Sequence, residues 1–203
     1  METIAARHPS AVSLLRTQYR MNDAIMRFSS ECFYDGKVES APEVKYRGIL
    51  DWDTPMEWID TADEEQTAPY LTEAPSGAGA HQLCRPFMLP TPDSTSRSNP
   101  EEARLTLNIL KAYFQKIGKE RILAERIDTG IISPYKGQVQ LLRALLRRDA
   151  FFKPYRHLLS VNTVDGFQGQ ERDVILISLV RSNENGQIGF LHDLRRMNVA
   201  ITR

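Results

Sequence analysis

Cysteine is scarce in this chain. Cys32 and Cys84 are its only two, and neither stands at a metal-ligand spacing or beside a partner motif. Both read as reduced thiols of a cytosolic protein rather than as parts of a disulfide framework. Long apolar runs are missing as well. None approaches the ~18–20 residues that a bilayer crossing needs, and the N-terminus lacks a signal-peptide pattern. No membrane association is expected, and the expected location is cytoplasmic, or nuclear in a eukaryote. Net charge is absent too, because 26 basic and 26 acidic residues cancel. Bulk charge therefore argues neither for nor against a polyanionic partner, and any such surface has to come from local clustering. Finally, the sequence has no G-x-x-x-x-G-K-[ST] loop and no apolar strand ending in Asp-Glu. It carries neither the loop that cradles phosphates nor the carboxylates that hold the accompanying magnesium.

What is present is an alternation of apolar strands and amphipathic helices. At 203 residues the chain suits one domain with a sizeable core, with or without a floppy insert. Ala11 to Leu15 reads as a short strand, and Gln18-Tyr19-Arg20 follows at its end. Asn22 or Asp23 then caps a helix running through Ile25, Met26, Phe28 and Cys32 to about Tyr34, and Asp35-Gly36 turns the chain. Met56 to Ile59 is a further expected strand. From Thr61 to Asn99 the composition shifts to Pro, Ser, Gly and Ala. Such a segment cannot bury enough apolar area to offset its ordering entropy, so a long, partly disordered surface loop is expected.

Order returns at Asn99, an N-cap followed by Pro100 at the first helical position and by Glu101 and Glu102. Leu105, Ile109, Leu110, Tyr113 and Ile117 mark the apolar stripe of that helix, and Gly118 ends it. Ile127 to Ile132 is the next strand. Ser133-Pro134 is expected to open a helix with Val139, Leu142, Leu145 and Leu146 apolar, and Leu158 to Val161 is a strand after it. Strands alternating with helices imply an α/β fold with a mainly parallel sheet.

The most informative stretch is Val161 to Arg203. A polar, glycine-bearing loop, Asp165 to Gln170, precedes the uncharged run Val174 to Val180, which reads as a strand buried on both faces. A helical pattern carrying Arg195, Arg196 and Arg203 closes the chain. Guanidinium is permanently charged and forks two donors toward phosphate oxygens, so arginines here suit a phosphorylated ligand. Lys153, Arg156 and His157 form a small basic group ahead of the Leu158 strand, by itself no more than a solvated surface.

Four blocks resemble a known family. T-V-D-G-F-Q-G-Q-E-R-D-V from Thr163 and R-R-M-N-V-A-I-T-R ending at Arg203 are similar to motifs V and VI of superfamily 1 helicases. Gln18-Tyr19-Arg20-Met21 and Ile132-Ser133-Pro134-Tyr135-Lys136 resemble the Q-Y-R-M and S/T-P-Y blocks of the branch that contains the nonsense-mediated-decay helicase and senataxin. The resemblance implies a RecA-like fold of the P-loop NTPase type, with helices on both faces of its sheet. Residues 1–203 would be the second, C-terminal RecA-like domain, cut at both ends and inactive alone. A first RecA-like domain of the same polypeptide would supply the phosphate loop and the ligands of Mg2+.

The site residues follow from the same resemblance. Arg20 and Arg203 would reach the γ-phosphate of ATP as arginine fingers; the plain alternative for Arg20 is a cap or salt bridge at a helix start. Gln18, Tyr19, Gln168, Gly169, Glu171 and Arg196 would contact the nucleotide. Tyr19 has the alternative of packing the sheet edge, and Glu171 that of pairing with Arg172. Arg195 and Arg196 are adjacent on a helix and cannot face the same way, and Arg196 is the expected ligand. Ser133, Pro134, Tyr135 and Thr163 would contact single-stranded nucleic acid, DNA or RNA, although Ser133 is equally well explained as an N-cap. The implied function is one half of an ATP-dependent helicase or translocase, moving 5′ to 3′. Two alternatives stand beside it: a helicase-like binding module without catalysis, and the motor part of a nuclease-linked enzyme.

Overall fold

The computed structural model describes residues 12–51, 53–61, 63–70, 96–180 and 194–203. The chain divides into two compact units, one built on residues 12–56 with Thr202 and the other on residues 57–201 with Arg203.

The smaller unit is a strand–helix–strand turn. β1 (Thr17–Gln18) pairs in parallel with β2 (Glu39–Ser40), Thr17 opposite Glu39 and Gln18 opposite Ser40. Parallel pairing needs a crossover, here α1 (Asp23–Phe33). Asn22 caps it, its side chain accepting from the Ala24 N–H at 2.9 Å, and Asp23 sits in the first turn where the helix dipole favours an anion. Met26, Ala41 and Val44 are buried. Ser30 is buried too, and its hydroxyl donates to the Val38 carbonyl at 2.7 Å and accepts from the Val38 N–H at 3.1 Å. That pair fixes α1 to the chain entering β2. The strand expected at Ala11 to Leu15 does not form. Val12 to Leu15 are irregular and exposed, Ala11 lying outside the described residues, and without a burying partner an apolar run has nothing to hold it extended.

The larger unit holds a parallel three-stranded sheet in the order β4 (Leu159–Asn162), β3 (Thr129–Ile132), β5 (Val174–Ile177). Ile131 pairs with Val161 on one side and Leu176 on the other. Successive side chains alternate across a strand, so Ile131 and Ile132 enter opposite layers. The central strand is buried at all four positions, whereas all four residues of β5 are half-buried. This corrects the expectation of a strand buried on both faces from Val174 to Val180: β5 stops at Ile177 and is an edge among the described residues. Gly130 of β3 has a packing reason, because a Cβ there would lie 2.8 Å from Ile175 Cδ1 and 3.0 Å from the Phe167 ring.

A short helix, α2 (Glu64–Thr67), and a 3-10 turn, Ala68–Tyr70, occupy part of the segment expected as loop from Thr61; residues 71–95 lie outside the described ones. The strand expected at Met56 to Ile59 is irregular chain instead. α3 (Pro100–Ile117) starts as the capping pattern requires, Asn99 Oδ1 accepting from the Glu102 N–H at 3.1 Å. Gly118 both ends α3 and precedes α4 (Lys119–Glu125), a helix that the sequence pattern had not marked. α5 (Lys136–Arg148) packs between α3 and β4, and a 3-10 segment, Lys153–Leu158, leads into β4. Phe114 of α3 meets Phe152 and Tyr155 edge-on, with ring centroids 6.4 Å and 5.0 Å away. α6 (Leu194–Ile201) completes the unit. No helix among the described residues is long and apolar enough to cross a membrane.

Candidate functional site

Gln18, Tyr19 and Arg20 form the loop that leaves β1. Gln18 Oε1 accepts from the backbone N–H of Arg20 at 2.7 Å and of Met21 at 2.9 Å. Its Nε2 donates to the Met21 carbonyl and to the Ser40 hydroxyl, both at 2.7 Å. A single amide thus uses both its acceptor lone pairs and both its donors to close one turn and tie it to β2. Tyr19 is 69% exposed, so its ring is presented to solvent rather than packed on the sheet edge. Arg20 is half-buried. Its Nη1 donates to the Thr202 carbonyl at 3.3 Å, and its own carbonyl accepts from Arg47 Nη1 at 3.1 Å.

In the larger unit the loop after β4 is built on a small apolar core. Val164 and Phe167 pack with Ile132 of β3 and Ala200 of α6, flanked by Ile175, Ile177 and Val199. A 3-10 turn, Asp165–Phe167, brings Phe167 inward. Thr163 Oγ1 accepts from the Gly166 N–H at 3.3 Å, and the Thr163 N–H donates to Asn162 Oδ1 at 2.9 Å. Gly166 lets the Asn162 side chain lie close: a Cβ there would stand 2.4 Å from Asn162 Cγ, so a larger residue would displace that side chain. Gln168, Gly169 and Glu171 are all exposed. Arg172 braces the loop by donating to the Glu171 carbonyl at 2.6 Å, to Gln170 Oε1 at 2.8 Å and to Ser160 Oγ at 3.1 Å. Its N–H donates to the Arg203 carbonyl at 3.2 Å, joining the loop to the end of α6. Arg203 Nε donates to the Val199 carbonyl at 2.8 Å, one of the helix-terminal carbonyls left without a partner inside α6. On the same helix Arg195 is exposed and Arg196 half-buried.

The S/T-P-Y block differs from expectation. α5 begins at Lys136 with Tyr135 in the cap position and no side-chain cap, so Ser133 is not its N-cap. Ser133 and Pro134 are buried, and Ser133 Oγ accepts from the Tyr135 N–H at 3.4 Å, which withdraws the serine hydroxyl from any strand at the surface. The reason is placement: Ser133 directly continues the buried strand β3, its N–H donating to the Asn162 carbonyl. The first turn of α5 is satisfied from afar, Ser96 Oγ accepting from the Gly137 N–H at 2.7 Å. Tyr135 keeps its hydroxyl buried without a hydrogen-bond partner.

Beyond these residues lies a polar tie that the motifs do not mark. Gln138 of α5 is fully buried and bonds the Asn99 backbone at both ends of its amide, at 2.8 and 3.1 Å. Its Nε2 also donates to Ser178 Oγ at 3.0 Å, and Ser178 donates on to Glu102 Oε1 at 2.8 Å. The Val180 N–H reaches the same oxygen at 3.0 Å. Burial pushes the Glu102 carboxyl above its ordinary range, against the pull of these bonds. The available signal was the N-cap pattern at Asn99, which located Glu102 in a first turn but not under the end of β5. Among the described residues no group of three or more His, Cys, Asp or Glu could hold a metal ion.

The sequence that builds these loops and helices has known relatives. The sequence profile described as an AAA domain matches residues 1–203. The chain belongs to the AAA domain family. It is similar to "DNA-binding protein SMUBP-2" of Rattus norvegicus, 39% identical over 100% of this chain and 18% of that protein. An uncharacterized ATP-dependent helicase of Methanocaldococcus jannaschii is 36% identical over 100% of this chain and 26% of its own length. "Helicase SEN1" of Saccharomyces cerevisiae is 34% identical over 96% of this chain and 8% of its own length. This AAA domain thus spans about a quarter or less of the relatives it matches. It is an α/β domain of the RecA-like, P-loop NTPase type, in the superfamily 1 helicase branch that its motifs resemble, and a helicase-type domain.

Proposed function

We propose that this AAA domain is the second motor domain of an ATP-dependent nucleic-acid helicase or translocase. The observation that carries the reading is the joint between the Thr163–Arg172 loop and the arginine-bearing helix. A shared core of Ile132, Val164, Phe167 and Ala200 and the Arg172 to Arg203 backbone bond unite them. A ligand that displaces the loop is felt at Arg203, as coupling between a strand-gripping loop and a finger requires.

Arg20 and Arg203 supply fixed positive charge toward the γ-phosphate of ATP bound on a first RecA-like domain, whose carboxylates hold the Mg2+. Both suit that role, since a guanidinium is permanently charged and each of these donates to a backbone carbonyl, which helps orient it. When bound, the nucleotide supplies a cleavable phosphoanhydride, and charge developing on its terminal phosphoryl is what the guanidiniums stabilise. Gln18 holds Arg20 in its turn, Tyr19 offers an exposed ring to the base or ribose, and Gln168, Gly169, Glu171 and Arg196 line the nucleotide side. Thr163 contacts the backbone of single-stranded DNA or RNA and the half-buried Tyr135 ring stacks on it, with buried Ser133 and Pro134 shaping the turn beneath them.

The test is steady-state ATP hydrolysis by the protein at full natural length, with and without single-stranded DNA or RNA, for wild type and Arg20→Ala. Loss of a finger is expected to cost on the order of 10³-fold in turnover. An Arg20→Ala protein as active as wild type would overturn the assignment.

A further inference from the structure

The basic group at Lys153 to His157 gains a setting from the fold. Beside β4 runs an open groove of about 370 Å³, lined by Arg143, Arg147, Arg156, Ser160, Asn162 and Gln170 over an apolar floor. Arg143 and Arg147 stand four residues apart on α5, so one helix face carries both. Arg143 donates through Nε and Nη2 to the Val161 carbonyl at 3.0 and 2.6 Å, and Arg156 Nη2 donates to the Arg147 carbonyl. Arg172 adjoins through Ser160, whose hydroxyl takes its Nε–H at 3.1 Å.

Every acceptor in that set is an uncharged oxygen. Among the described residues none of the four arginines pairs with a carboxylate, no carboxylate lines the groove, and nearby Asp149 is already paired with Lys111 at 3.0 Å. Arg143, Arg156 and Arg172 are held in place yet not neutralised, so their ordering entropy is already lost and their charge is not, and with Arg147 on the same helix face as Arg143 they form a receptor for anions. A β-strand is a poor occupant, because the Val161 carbonyl on this sheet edge is taken by Arg143. The groove runs up to Asn162, which accepts from the Thr163 N–H, and Gln170 belongs to the same loop as Thr163.

We infer that this groove binds the phosphodiester backbone of single-stranded nucleic acid, continuing along β4 the track that begins at Thr163. The inference rests on the nucleic-acid reading above. The recognition is electrostatic and indifferent to sequence, because the guanidiniums here are placed to meet phosphates rather than base edges.

The experiment uses the protein at full natural length, labelled oligo(dT) and oligo(rU), and fluorescence anisotropy across a salt series. Arg147 is a suitable target because its guanidinium braces nothing among the described residues, and Arg156→Gln removes one surface bond. For the R147Q/R156Q protein the affinity is expected to fall on the order of tenfold near 0.1 M salt, and the salt slope to become shallower by about 1.4, or 0.7 for each phosphate no longer engaged. ATP turnover at saturating oligonucleotide should be unchanged, so the defect appears as a raised KM for nucleic acid with the same kcat. Wild-type affinity and slope in the variant would overturn the groove while leaving the motor reading intact. So would a variant that keeps wild-type oligonucleotide binding but loses binding of labelled polyglutamate, run as a third probe in the same series, which would give the groove to an acidic protein segment. A wild-type protein that binds neither oligonucleotide would overturn both readings at once.

Discussion

Two loops carry the arginine motifs of this domain, and they are held in opposite ways. The Gln18–Met21 turn is held by one polar side chain, with the Gln18 amide making four hydrogen bonds around a two-residue strand. The Thr163–Arg172 loop is held by burial, with Val164 and Phe167 each 1% exposed inside an apolar cluster. Apolar burial is non-directional and sums over area, so it secures a whole element. An amide secures a few atoms in one geometry. The first device is suited to aiming a single guanidinium, and the second to making a loop and a helix behave as one body.

Removing the apolar support should have the larger effect. Phe167→Ala leaves a cavity between β3, β5 and α6 and is expected to cost about 3–5 kcal/mol. Urea unfolding followed by circular dichroism reads it, and a loss well under 1 kcal/mol would mean that this ring is not what holds the loop. Gln18→Ala should cost less, about 1–3 kcal/mol, because the N–H groups of Arg20 and Met21 lose their acceptor at a half-buried site. Its signature lies in activity: ATP turnover should fall further than stability predicts, since Arg20 is no longer aimed. Equal turnover in wild type and Gln18→Ala would break the contrast between the two loops.

The same contrast explains what the sequence reveals and what it hides. Asn99-Pro100 places a helix start to the residue, because a cap is local chemistry written in consecutive side chains. The parallel alternation of strands and helices is equally legible from hydrophobic runs. Burial depth is not, because it depends on which neighbours a strand acquires: β5 reads like β3 in isolation, yet among the described residues only β3 has a strand on each side. Ser133 illustrates the same limit at the site. A serine before proline signals an N-cap, but the actual cap of the α5 first turn comes from Ser96, 41 residues away. The arginine groove lay half in view, since Arg143 and Arg147 show the spacing of one helix face, whereas their pairing with uncharged oxygens exists only in three dimensions.

The sheet unit does contain one polar device of its own, and it offers the finest test of the comparison. Glu102 Oε1 takes hydrogen bonds from Ser178 and Val180 in a buried setting, and burial raises its pKa above the ordinary 4.5. An acid whose folded-state pKa is raised holds its proton more tightly folded than unfolded. Its contribution is therefore most favourable below the unfolded value and declines as pH rises from about 4.5 through the higher folded value. Glu102→Gln keeps an oxygen for the same donors and removes the titration. Melting curves from about pH 4 to pH 8 should show the difference between variant and wild type moving steadily in the variant's favour as pH increases. An offset that stays constant with pH would mean that Glu102 titrates alike in the folded and unfolded chain, and that this end of the sheet is held, like Gln18, by hydrogen bonding that burial does not tax.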